Sequence, residues 1–180
     1  MSDIYSKSKR SEIMSHISGK DTKPEILVRK FLFANGLRFR KNVKNLPGKP
    51  DVVLPKYKTI IFVHGCFWHG HTCKRGILPT TNVEFWQTKI GGNIERDKRD
   101  FLDLREQGWK IILIWQCEIR NAYLRTIRLN SLLYEIVEPL SLEDNTLVAE
   151  AQYTYITTNK QNDVAKHYDK ENKKDEDETE

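Results

Sequence analysis

Apolar and polar positions along this chain follow two periods, one near 3.6 residues and one of continuous short runs. In DTKPEILVRKFLFANG, Ile26, Leu27, Phe31 and Leu32 fall at helical spacing. Thr22 and Glu25 have the spacing of a capping box, Pro24 sits in the first turn and Gly36 supplies a stop, so this segment predicts a helix. Upstream, Ser8 to Ser18 carries Ile13, Met14 and Ile17 among basic residues and predicts a short basic helix. LPGKP reads as a turn and DVVLP as a short strand. KTIIFVHG is apolar throughout and rich in β-branched residues, which predicts a strand buried on both faces. The loop HGCFWHGHTC follows, and then a long helix from about Val83 to Glu106, ending near Gly108. WKIILIW, Trp109 to Trp115, predicts another fully buried strand, and CEIRNAYLRTIRLNSLLYEIV returns to helix.

The order helix, strand, strand, helix, strand, helix predicts an α/β domain with a small mixed sheet flanked by helices. After about Leu140 the pattern decays. AQYTYITT alternates as an edge strand would, and the polar, charged last twenty residues predict disorder. The chain thus divides into an N-terminal segment 1–20, a main domain 21–140 and a polar tail 141–180.

Charge sharpens this division. The 180 residues carry a net +5, but the last twenty hold four Lys against eight Asp or Glu, so the other 160 carry an excess of nine positive charges. A basic body with an acidic tail points to a polyanionic partner, most simply nucleic acid. No apolar run approaches the roughly 20 residues of a membrane span. The opening MSDIYSKSKRSEIM lacks the apolar stretch of a secretory signal, so a cytoplasmic protein without a membrane partner is expected. Three cysteines is an odd count, which argues against a closed disulfide framework and, in a reducing compartment, for metal.

Cys66, His71 and Cys73 lie within eight residues, and Cys117 follows the last strand. Three thiolates and one imidazole make a closed, structural Zn²⁺ set. Asp51 opens one strand, and the next strand ends in a polar cluster, as in nucleases whose carboxylate binds Mg²⁺ against the scissile phosphate. An acidic residue and a lysine would continue that pattern, but Val63, His64 and Gly65 stand there, and Val63 can offer a metal only its backbone carbonyl. Asp51 also reads as a turn-capping aspartate after Pro50. On the long helix Trp86, Ile90, Ile94, Phe101 and Leu104 line one face, and Asp97 shares it. A carboxylate facing a core requires a partner, either a histidine of the 64–71 loop or a neighbouring arginine. Paired with histidine, it would fix the tautomer and leave one ring nitrogen free to take a proton from water. Glu25 reads as a helix cap or as a residue facing the metal.

These segments together resemble the very short patch repair endonucleases, bacterial enzymes that nick DNA beside a T:G mispair. The likeness spans roughly residues 5–135 and rests on LPGKPD, IFVHGCFWHGHTC, EFWQTKIGGNIERDKRD and GWKIILIWQCEIR. It implies a restriction-endonuclease-like fold. It implies Mg²⁺ on Asp51 and the Val63 carbonyl, with Val63 where the family can carry Thr. It implies His69 as catalytic base paired with Asp97, and Glu25 and His64 as further active-site residues. Zinc falls on Cys66, His71, Cys73 and Cys117. Phe67, Trp68 and Trp86 match residues that wedge into the base stack beside the mismatch, where opening a step costs only a few kcal/mol. Met14 and Ile17 match an N-terminal arm that grips DNA. The implied reaction is Mg²⁺-dependent nicking 5′ to the T of a T:G mispair left by 5-methylcytosine deamination. A monomer suffices for one nick, and the implied links are to a cytosine-5 methyltransferase and to mismatch-repair proteins at the nucleoid. A sequence-specific restriction endonuclease cutting both strands, and a non-catalytic zinc module that binds DNA, are the rival readings.

Overall fold

The computed structural model describes Ser6, Ser8, Lys9, Glu12, Ser15 and residues 19–138. Within 19–138 the elements are α1 (Lys23–Ala34), β1 (Val52–Leu54), β2 (Thr59–His64), α2 (Val83–Glu106), β3 (Lys110–Trp115) and α3 (Ala122–Val137), in the order expected. A single 3-10 turn, Pro55–Tyr57, joins β1 to β2. The edge strand expected in AQYTYITT, the tail, Met14 and Ile17 lie outside the described residues.

The sheet order is β1-β2-β3, with β2 in the middle. β1 runs antiparallel to β2, pairing Val52 with Ile61 and Leu54 with Thr59. β3 runs parallel to β2, pairing Val63 with Ile114 and His64 with Trp115. This is a mixed sheet, as expected, and its parallel pair requires the long crossover that α2 supplies. All six residues of β2 are buried, because helices cover both faces. Ile61 and Val63 join Val52, Leu54, Ile112 and Ile114 in a core closed by Val28 and Leu32 of α1 and Leu129, Leu132 and Ile136 of α3. The alternate residues point the other way, where Phe62 meets Phe101 of α2 at 5.0 Å between ring centroids.

Two expectations are corrected. β3 is buried only at Ile112–Ile114, since among the described residues it forms an edge of the sheet and its ends stay partly open. In α1 the buried face is Glu25, Val28, Arg29 and Leu32, whereas Ile26 is 39% exposed. Leu27 and Phe31 still pack, partly buried, against the core, and Glu25 and Arg29 take places on the fully buried stripe. α3, by contrast, begins as its sequence suggests, with the Asn121 side chain accepting from the Tyr123 and Leu124 N–H groups.

Burial separates two isoleucines of equal size. Ile114 is fully buried and Ile127 of α3 is 51% exposed. Ile114→Ala is expected to cost about 2–5 kcal/mol, and Ile127→Ala less than about 0.5 kcal/mol. Urea unfolding followed by circular dichroism checks the contrast.

Candidate active site and metal cluster

β2 ends at a cavity of about 620 Å³ whose lining includes Glu25, Asp51, Val63, His64, Trp68 and His69. Three exposed lysines, Lys20, Lys44 and Lys49, also line it, so the cavity joins acidic and basic groups. Asp51 enters from a bend just before β1, and one of its oxygens accepts the Val63 N–H at 2.7 Å. Burial pushes its carboxyl up to about 6; the Val63 N–H draws it down, Glu25 adds to the rise and Arg29 opposes it. A buried carboxylate in a cavity lined also by Val63 and by a second carboxylate, Glu25, offers hard oxygen donors of the kind that fit Mg²⁺.

Glu25 is almost wholly buried, and its bonds are not those of a reciprocal capping box. The Thr22 hydroxyl donates to its Oε1 at 2.6 Å, and the Asp21 N–H to its Oε2 at 2.9 Å. Arg29, one turn along, donates to Oε2 at 3.3 Å, to Asp21 at 2.6 Å and, more weakly, to the Asp51 carbonyl at 3.5 Å. Glu25 therefore braces the start of a helix and faces the cavity at once. Arg29 is the residue that reading the sequence missed. Its signal was the four-residue spacing from Glu25 on the same face as Val28 and Leu32.

His69 and Asp97 meet across 28 positions of sequence, Nδ1 to Oδ2 at 2.5 Å. Of the two partners open to Asp97, the loop histidine holds it. With Nδ1–H donated to the carboxylate, Nε2 is left to accept a proton. The His64 ring lies flat against that of His69, 3.6 Å between centroids at 16°. His64 is buried, which holds its pKa well below the usual histidine range, and the adjacent His69 lowers it further. It serves as a neutral slab under the pair, fixed by Phe101 and Trp115.

On the far side of the same loop, the donor atoms of Cys66, His71, Cys73 and Cys117 all lie within 4.8 Å of one another. The three thiols are free of disulfides. Burial raises the Cys66 and Cys117 thiols. Burial also acts to raise Cys73, but the Arg75 N–H and the neighbouring thiols leave it lowered. Burial keeps His71 toward its neutral form, the form a metal ligand takes. Three sulfurs and one nitrogen converging in this way fit a closed, structural Zn²⁺ site. Gly70, at φ +64°, lets the loop lie on α2, for a Cβ there would stand 2.6 Å from Ile94 Cδ1.

Phe67, Trp68 and Trp86 gather into one partly exposed aromatic group, with Phe67 5.1 Å from each indole ring. Phe85, also missed from sequence, adds a ring 5.1 Å from Trp86 and is 60% exposed. Asn93 of α2 donates to the Trp68 carbonyl at 2.9 Å and ties the loop to the helix.

A sequence profile described as DNA mismatch endonuclease Vsr matches residues 2–75. The chain is 52% identical over 136 residues to the type II nicking enzyme V.NmeAIP of Neisseria meningitidis serogroup A, covering 76% of this chain and 97% of that one. It is 44% identical over 121 residues to the DNA mismatch endonuclease Vsr of Escherichia coli, covering 67% and 78%. Type II nicking enzyme V.XorIIP of Xanthomonas oryzae is 41% identical over 133 residues, covering 74% and 98%. The chain belongs to the Vsr family.

The Vsr profile match ends at Arg75, so it takes in Glu25, Asp51, His69 and Cys73 but neither Asp97 nor Cys117. The fold brings those two in, from α2 and from just beyond β3. No helix among the described residues is long and apolar enough to cross a membrane.

Asp51 carries a cost to stability that can be measured. An aspartate whose folded pKa lies above its unfolded value weakens the fold once the pH passes that unfolded value. In magnesium-free buffer at pH 7, Asp51→Asn is expected to be more stable than the wild type by roughly 2–3 kcal/mol. The difference should fade as the pH falls from about 6 to about 4. Urea unfolding across that range is the check, and a gap independent of pH would contradict it.

Proposed function

We propose that this Vsr family member is a Mg²⁺-dependent DNA endonuclease. It nicks one strand of duplex DNA 5′ to the T of a T:G mispair and so opens very short patch repair after 5-methylcytosine deamination. The observation that carries this reading is the convergence on one cavity of the Asp51 carboxylate and His69, whose ring is held by Asp97. Family membership and the exposed aromatic group support it. We assign the domain to the restriction-endonuclease-like class on the mixed sheet and on where Asp51 sits in it.

Asp51 and the Val63 carbonyl are the groups that would hold Mg²⁺, with Glu25 behind them. When bound there, Mg²⁺ supplies charge stabilisation to the phosphate and the leaving oxygen. His69 Nε2 takes a proton from the attacking water, and Asp97 steadies the imidazolium that forms. His64 keeps the ring of His69 in plane without adding charge. Water oxygen bonds to phosphorus as the P–O3′ bond breaks, leaving a 3′-hydroxyl and a 5′-phosphate. Phe67, Trp68 and Trp86 enter the stack beside the mispair, replacing lost stacking at about 1–3 kcal/mol per base. Lysines at the cavity, Lys20, Lys44 and Lys49, meet phosphates. Residues 1–20 form the DNA-gripping arm, 21–140 the catalytic domain and 141–180 a polar tail. The enzyme acts as a monomer in the cytoplasm, partnered functionally with a cytosine-5 methyltransferase and mismatch-repair proteins.

End-labelled duplexes with a single T:G and randomised flanks test the reaction. The wild type is expected to cut the T strand once and to leave fully paired duplexes intact; double-strand cleavage of paired DNA would favour a restriction endonuclease instead. Asp51→Ala should abolish nicking, and His69→Ala should lower kcat roughly 10²- to 10⁴-fold. Retained nicking in both variants would overturn the assignment. For the cluster, elemental analysis should find stoichiometric zinc in the wild type and a loss of it in Cys117→Ser, with undiminished zinc contradicting the site.

A further inference from the structure

The hydrogen-bond pattern of the sheet raises a question about Pro50. Arg40 and Val53 exchange both backbone hydrogen bonds at 2.8 Å, so Val53 faces away from β2, and Val52 and Leu54 face toward it. On β2, Lys58 and His64 accept from the Lys110 and Gln116 N–H groups at 2.9 Å, so even-numbered residues serve β3. The odd-numbered Thr59, Ile61 and Val63 therefore turn their N–H and C=O groups to β1. The hydrogen-bonded pairs are Val52 with Ile61 and Leu54 with Thr59, and the next in that register is Pro50 with Val63.

At that place an ordinary residue would accept from the Val63 N–H and donate its own N–H to the Val63 carbonyl. Neither bond forms in that way. The chain bends at Asp51, whose carboxylate takes the Val63 N–H at 2.7 Å. Pro50 is buried and, being proline, has no N–H to give. The last rung is thus absent: the Val63 N–H goes to a carboxylate, and Pro50 offers the Val63 carbonyl no donor, beside the cavity that Val63 and Asp51 line.

We infer that Pro50 is a positioning residue, which keeps the Val63 carbonyl available to a divalent cation by withholding the hydrogen bond that would complete the rung. The inference rests on the metal-binding reading of Asp51 and Val63 given above. Proline also suits the local path, since Gly48 and Lys49 before it both hold positive φ, at 69° and 52°, and carry the chain into the bend. A residue with an N–H in place of Pro50 would offer the Val63 carbonyl a backbone donor and compete with the cation for the same oxygen.

The test uses the full zinc-loaded chain titrated with Mn²⁺, followed by electron paramagnetic resonance, in the wild type, Asp51→Asn, Pro50→Ala and Pro50→Val. The wild type is expected to bind Mn²⁺ at a site that Asp51→Asn removes. Both Pro50 variants should keep the wild-type melting temperature and bind Mn²⁺ roughly fivefold more weakly, as competition from one neutral backbone hydrogen bond implies. In Pro50→Ala without metal, the new amide at position 50 should exchange slowly with solvent by NMR, as a bonded strand amide does. Unchanged Mn²⁺ affinity in both variants, a fast-exchanging amide, or loss of folding in both would overturn the role of Pro50. If Asp51→Asn binds Mn²⁺ as the wild type does, the metal reading of the cavity fails, and the role of Pro50 falls with it.

Discussion

The parallel pairing of β2 with β3 is the constraint on which the rest of the site depends. Its register sets Val63 beside Ile114 and His64 beside Trp115. Because β2 is central and covered on both faces, its side chains alternate between two cores, and a slip of one residue would exchange them. The same register fixes where both strands stop. β2 stops with His64 under His69, and β3 stops with Trp115 against His71, only two residues short of Cys117. One strand pair thereby anchors both ends of the loop chemistry.

The loop between β2 and α2 has little regular structure of its own, and two kinds of contact hold it. The Cys and His donors draw it toward Cys117, and the His69–Asp97 bond with the Asn93–Trp68 bond ties it to α2. Gly70 permits the close approach that these bonds require. The aromatic rings of Phe67, Trp68 and Trp86 are left partly exposed, with Trp68 also lining the cavity. A metal would add cross-links to this arrangement, but the bond to Asp97 by itself already orients the His69 ring, and His64 stacks against it.

The two cavity carboxylates differ in a way that composition cannot reveal. Glu25 is surrounded by donors, a hydroxyl, an N–H and the Arg29 guanidinium. Among the described residues the strong donor to Asp51 is the Val63 N–H, and burial leaves the carboxyl reluctant to ionise. Arg29 serves both, bonding Glu25 directly and reaching the Asp51 carbonyl. The fold therefore compensates one carboxylate more fully than the other, and the second is the one proposed to take a cation. Such local discomfort is what a binding site shows when its ligand completes it.

The amino-acid sequence by itself determined the elements and their order, because strong apolar runs and helical stripes admit few alternatives. It also determined the donor types near Cys66 and the place of Asp51, which short motifs carry within a few residues. Two details it misjudged, the buried face of α1 and the open ends of β3, depend on what packs opposite, and no local pattern records that. The tertiary structure alone decided which groups meet. Asp97 could have bonded an arginine on its own helix, and it bonds His69 because α2 crosses the loop there. Glu25 could have closed a simple cap, and it turns to Arg29 because both are held on the buried face of α1. Val63 donates to Asp51 because the chain bends at Asp51, where the β1–β2 ladder stops, and brings its carboxylate to that N–H. These are encounters between distant positions, set by register and crossing geometry, and they exist only once the chain has folded.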